Sequence, residues 1–438
     1  MKNKSNSKFI TQNSTLEKEF KDFFLHYAKT AFIFFFISGL LGAILRLTFF
    51  QPIPGLNYKF TLHGHSHVIF LGWIFNVLFL GFNYVLNQNH PISNWKKYNI
   101  VFWLLQLTVV GMLIFFPIQG YALWSIIFST ANIFISYSYV FFYFRDVRKM
   151  TILKDSLSIG LIKWALIFLA ISTIGPFSLG PVIAMGYAES DWYYLAIYFY
   201  LHFQYNGLFT FGVLGLLFGI LEKNGIIYDR KKARRFLTLM IISCFLSLAL
   251  SALWTHPPDY IYIIGVISVI IQLIAFYDGI SLYRSFRQQL FTLAKGKVVW
   301  LIKLSLLAFV IKILLQSLSA IPEVADMAFQ NRNFIIAYLH LIFLGFISFF
   351  LIAWLIHHHF INQYSRAVGL GLILLVTGFT ISELLIGFQP YLFKLFPAVA
   401  SYYYPMLFWC SLLMPVGILF LLVNNRHRPG SEKEVHFI

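Results

Sequence analysis

Histidine recurs in this sequence where the surrounding residues are almost entirely apolar. "HVIFLGW" runs from His67 to Trp73 and "HLIFLGF" from His340 to Phe346, so one phrase is headed twice by an imidazole. His63, His65 and His67 crowd a single short stretch, and His202 stands alone in "YLHFQYNGLF". An ionisable side chain inside a bilayer is unfavourable, rare and as a rule functional. Neutral imidazole is a common metal ligand, and two histidines facing each other from separate helices suit the axial positions of a haem iron. Helix bundles build such sites from facing helices. Gly72 lies seven residues after His65, on the same helical face, where a flat macrocycle could meet a backbone. His63 and His67 share another face, nearly opposite. One face at most meets a given cofactor, so this cluster does not supply three ligands to one iron.

The elements that carry these residues follow from composition. The chain has 438 residues, 59% hydrophobic, 19% aromatic and 11% charged, with a mean hydropathy of +0.75. A soluble domain has about 45–50% apolar and about 25% charged residues, so a polytopic membrane protein is expected. Its spans must be helices, because an open sheet leaves backbone groups unsatisfied in lipid. A span needs roughly 20 apolar residues. Twelve stretches qualify: 29–49, 62–87, 98–117, 120–144, 159–178, 193–221, 235–255, 259–283, 298–319, 333–356, 367–388 and 403–424. The expected organisation is a polar N-terminal tail over 1–28, one all-α membrane domain over 29–424 and a C-terminal tail over 425–438. The start of the chain lacks a short apolar core with a small-residue cleavage site, so the first span is read as the insertion signal. Cys244 and Cys410, both inside apolar runs, argue against a disulfide framework or a thiolate-ligated cluster.

The net charge of +17 is concentrated in alternate loops and argues for topology rather than nucleic-acid binding. Basic residues gather in the N-terminal tail and in the connections leaving even-numbered spans, such as Arg145, Arg148 and Lys149, or Arg230 to Arg235. The other loops hold little beyond Lys59, Arg332 and Lys394. The positive-inside rule then places both termini in the cytoplasm of a bacterial-type inner (plasma) membrane, and the basic loops favour anionic lipid. Spans 2, 6 and 10 all bring histidine into the outer half of the bilayer. Lys312 and Glu383, on spans 9 and 11, are expected to pair within the membrane or to relay protons. "HHH" at 357–359 reads as an interfacial stop.

These residues resemble subunit I of the haem–copper oxidase superfamily, closest to C-type cytochrome c oxidases and nitric oxide reductases. "LHGHSHVIFLGWIFNVLF" is similar to the family's second helix, including Asn76, and its register makes His65 the low-spin haem ligand; the internal echo instead selects His67. "HFQYNGLFTFGVLG" is similar to helix 6, "PPDYIYIIGVIS" to the join after helix 7 and "YLHLIFLGF" to helix 10. The resemblance implies a twelve-helix fold and a low-spin haem b between His65 (or His67) and His340. It also implies a metal at His202 and an electron donor such as cytochrome c, quinol or another respiratory subunit. The sequence departs from the family at the dinuclear centre. The adjacent histidine pair of helix 7 is replaced by Leu250 and Ser251, and the second helix-10 histidine by Tyr338, which can itself ligate haem iron. A second haem or copper is thereby placed in doubt, and with it ordinary oxygen reduction. His63 and His202 remain the candidates for a second metal. An NnrS-type haem–copper protein protecting against nitric oxide stress is the alternative, and a proton-coupled secondary transporter the third reading.

Overall fold

The computed structural model describes residues 2–89, 92, 94–149 and 156–424, with the side chains of 2–22 and 89 outside the description. The C-terminal tail expected at 425–438 lies outside the described residues. Twelve described helices are long and apolar enough to cross a membrane. They are α1 (Phe23–Leu47), α2 (Tyr58–Gln88), α3 (Trp95–Gln119), α4 (Leu123–Arg148), α5 (Leu157–Ala184), α6 (Asp191–Lys223), α7 (Arg230–Thr255), α8 (Asp259–Leu293), α9 (Lys297–Leu318), α10 (Arg332–His357), α11 (Arg366–Leu395) and α12 (Pro397–Val423). The expected all-α polytopic bundle is present, and no strand occurs among the described residues. The helix of α1 extends back to Lys2, through most of the expected N-terminal tail.

Three helices form the hub. In α2 and α6 the most apolar window is 89% buried, against 22% in α4 and α8, whose large apolar side chains face outward. α10 joins them: the rings of Phe70 on α2 and Phe343 on α10 lie 4.4 Å apart, and Phe209 on α6 touches both. Trp73 donates to the Ser348 hydroxyl at 2.8 Å, tying α2 to α10 again. The outer helices fill three gaps, with α3–α5 between α2 and α6, α7–α9 between α6 and α10, and α11, α12 and α1 between α10 and α2. Lipid is as apolar as the side chains it meets, so close packing rather than the hydrophobic effect joins such helices, and small residues allow it. α11 and α12 accordingly approach backbone to backbone, where a Cβ at Gly417 would lie 2.5 Å from the Gly371 carbonyl oxygen.

The two ends of the bundle differ. At the end where α2, α6 and α10 begin (the histidine end), most residues of Tyr58–His67 and Arg332–His340 are only half-buried. Beyond Val68, His202 and Ile342 the same helices become almost continuously buried. The far end is also tied by polar contacts. Asp146 takes Lys97 and Tyr98, Arg235 forks onto Asp278, and Glu222 accepts from Ser156 and Tyr228. Burial and hydrogen bonding to Glu222 push the Tyr228 phenol far up.

Candidate functional site

The hub helices share a local design. His67, His202 and His340 each close a first α-helical segment, of 10, 12 and 9 residues respectively. Each is followed at once by a π-helical stretch: Val68–Ile74, Phe203–Phe209 and Leu341–Ser348. π-turns inside helices concentrate at functional sites. Each histidine also precedes a glycine by five positions: Gly72, Gly207 and Gly345. The wide turns leave carbonyls poorly matched to the ladder, and side chains capture them. Asn76 donates to the Gly72 carbonyl at 2.6 Å, Thr210 to Tyr205 at 2.6 Å and Ser348 to Phe343 at 2.6 Å. The echo of α2 and α10 thus has a third copy on α6. The five-residue interval from histidine to glycine was its available signal, hidden because "HFQYNGLF" shares little else with the other two phrases.

In this register each histidine points into the gap that follows its helix, and the residue two positions earlier points into the gap before it. Two residues apart on a helix means about 200° of rotation. His340 faces α11, where its Nδ1 meets Glu383 Oε1 at 2.9 Å. His65, two before His67, faces α1, where its Nδ1 donates to the Ser38 carbonyl at 2.9 Å and the Ser38 hydroxyl lies 3.3 Å away. Gly42 flanks the same ring, so close that a Cβ there would sit 3.1 Å from His65 Cε1. His65 and His340 lie within electrostatic reach of each other, and Arg46 within reach of Glu383. The structure therefore turns His65, and not His67, toward the α10–α2 gap that His340 also enters. Both imidazoles have Nδ1 engaged, and among the described residues neither Nε2 has a hydrogen-bond partner. That is how metal-ligating histidines are ordinarily held, with the outer nitrogen fixed by a carbonyl or carboxylate. The second oxygen of Glu383 is buried without a partner among the described residues.

The other predicted residues are placed differently. Gly72 shares the His65 face, but the ring of Phe34 fills the space beside it: a Cβ at Gly72 would meet that ring at 2.7 Å. Gly72 serves the packing of α1 on α2 and has no room for a macrocycle. The small residue at the imidazole is Gly42, which sequence reasoning missed because it lies on another span. His63 and His67 face α3 and the α3–α4 turn. His67 stacks on Phe116 with ring centroids 4.3 Å apart, and His63 meets Tyr121 edge-on at 4.7 Å.

Tyr338 points away from His340 into the gap between α6 and α10, its ring edge-on to Tyr205 at 6.0 Å, and its hydroxyl closes no normal hydrogen bond there. His202 is in the same gap with both ring nitrogens occupied, Nε2 donating to the Cys244 carbonyl at 2.8 Å and Nδ1 facing the Asn206 amide at 3.2 Å. Lys312 does not pair with Glu383. It is buried and donates to Asn206 Oδ1 at 2.5 Å, because α9 borders the α6–α10 gap whereas α11 borders the next one. Leu250 packs on α8 at Gly265. Among the described residues, no three His, Cys, Asp or Glu side chains converge as a metal site.

No family model matches the chain, and no curated protein matches it. The likeness to a family therefore rests on the residues quoted above alone.

Proposed function

We propose that the chain is an integral membrane electron-transfer protein in which His65 and His340 hold one low-spin b-type haem. The observation that carries this reading is the two imidazoles turned into one gap, each anchored through Nδ1 and each with no hydrogen bond at Nε2 among the described residues. When bound, such a haem supplies a one-electron couple. The protein's part is to hold the ligands: Ser38 fixes the His65 tautomer from α1, and Glu383 fixes that of His340 from α11. A carboxylate on a ligating histidine raises its basicity, so Glu383 would favour the oxidised couple, with Arg46 moderating that charge. Phe70, Phe343 and Trp73 are buried where α2 and α10 meet, beyond the two histidines along each helix.

The same reading assigns electron transfer in preference to oxygen or nitric oxide reduction. His202 has no free nitrogen, and Leu250, Ser251 and Tyr338 stand where the resembling family has its remaining ligands. The basic loops orient both termini to the cytoplasm of the plasma membrane, with the histidine end outside. Electrons would come from quinol, a cytochrome c or a partner subunit. The test is a reduced-minus-oxidised spectrum of protein expressed with haem supplied, beside His340→Ala. A low-spin signal present in the wild type and absent in the variant supports the assignment; identical spectra sink it.

A second reading, proton-coupled transport, is favoured by one observation, the buried Lys312 with only neutral hydrogen-bonding partners. Proton uptake by haem-free proteoliposomes that disappears in Lys312→Met would favour it over electron transfer.

A further inference from the structure

The threefold register gives the α2–α6 gap a histidine of its own. His67 stands on α2 as His340 stands on α10, with Phe116 and Tyr121 against its ring. His67 Nδ1 donates to the His63 carbonyl at 2.8 Å, which leaves Nε2 unprotonated and without a hydrogen-bond partner among the described residues. His202, the third equivalent, has spent its Nε2 on a backbone carbonyl; His67 has not. His63 lies four residues before His67, on the same face and within its electrostatic reach. Residues four apart on a helix are neighbours, the spacing by which helices present two imidazoles to one ion. Phe116 and Tyr121 clamp both rings from α3 and its turn. The close approach is set by Gly64 between the two histidines, where a Cβ would lie 3.1 Å from Pro117.

We propose that His63 and His67 bind a monovalent copper ion in the α2–α6 gap, separately from the haem site. Imidazole suits copper. Both ligands are neutral, and no carboxylate faces them among the described residues. Lys59 and Arg332 are the charged groups within reach of His63, with Lys59 held by Glu189 at 2.9 Å. The desolvation penalty of an ion grows with the square of its charge, so a site of neutral ligands near cations takes a singly charged ion before a doubly charged one. Cu+ also accepts few ligands, and Tyr121, 41% exposed, leaves the site open at the rim.

The test uses full-length protein in detergent, stripped with chelator and titrated anaerobically with Cu+ buffered by bicinchoninate. Wild type is expected to take one ion per chain. His63→Gln and His67→Gln are each expected to bind at least about tenfold more weakly, and His202→Gln as tightly as wild type. Size-exclusion behaviour and the thermal midpoint check folding, and if His67→Gln fails to fold, the half-buried His63→Gln decides. The proposal is overturned by no stoichiometric uptake, by undiminished affinity in the folded His63 and His67 variants, by loss of the ion in folded His202→Gln, or by Zn2+ binding more tightly than Cu+. Copper uptake and the haem spectrum are independent readouts, so either assignment can fail alone.

Discussion

His340 and His202 occupy equivalent positions on α10 and α6, each ending a first helical segment and standing five residues before a glycine. Their surroundings differ in what they offer the ring. Around His340, α11 contributes a single carboxylate, which engages Nδ1 and leaves Nε2 facing the gap shared with His65. Around His202, α7 contributes a bare carbonyl and α6 itself an amide, and both nitrogens are satisfied. Lys312 extends that second network, donating to Asn206. A buried polar network with every member paired rigidifies a structure, whereas an imidazole nitrogen left without a partner is open to a ligand. On the proposed reading, one architecture yields a binding site in one gap and a polar tie in the next, decided by whether the ring finds one partner or two.

The sharpest way to break this comparison is to remove each histidine in turn. His65→Ala and His340→Ala are expected to abolish the low-spin haem spectrum, while His202→Ala retains it and melts at lower temperature. A retained signal in the first two, or its loss in the third, would reverse the roles of the gaps. Glu383→Gln keeps a hydrogen-bonding group but discards the charge. Outer partners of ligands are typically worth about 10–100-fold in affinity, and haem loss to an apoprotein acceptor, timed in the Soret band, should accelerate within that range. In the α6–α10 gap, Lys312→Met strips Asn206 of its donor. An unsatisfied buried acceptor costs about 1–3 kcal/mol, with membrane pairs at the low end, so the thermal midpoint should fall with the haem spectrum unchanged. The smallest effect belongs to the far end. Asp229 caps α7, and hydrogen bonds from the Lys232 and Lys231 amides hold its carboxyl below the usual carboxylate range. Its contribution is present above that ordinary range and fades as pH falls through the depressed value. Wild type and Asp229→Asn should thus melt slightly apart at neutral pH and converge in acid, with equal haem content throughout.

Much of the fold was legible in the residues. Apolar runs of span length are a local property, so each of the twelve expected stretches corresponds to one helix, with ends that differ by at most a few residues on the overhanging side. The separation of Tyr338 from His340 was likewise legible, since residues two apart on any helix diverge. The partners were not. Glu383 and Lys312 are the two ionisable residues that most invite pairing, yet they sit on helices bordering different gaps, and each found a neutral or imidazole partner instead. Gly72 carried the right type and spacing for a cofactor face, but Phe34, on a span far away in sequence, fills that space.

The sequence by itself determined a helical membrane bundle with imidazoles at one depth on its second, sixth and tenth spans, because hydropathy and helical period act over a single turn or span. It also offered both His65 and His67 as partners for His340 and could not choose between them. Only the tertiary structure turned His65 toward α1 and His67 toward α3, because that depends on how α2 is rotated between them. The rotation is set by contacts between distant segments: Phe34 on Gly72, Pro117 on Gly64, and Ser38 on the imidazole itself.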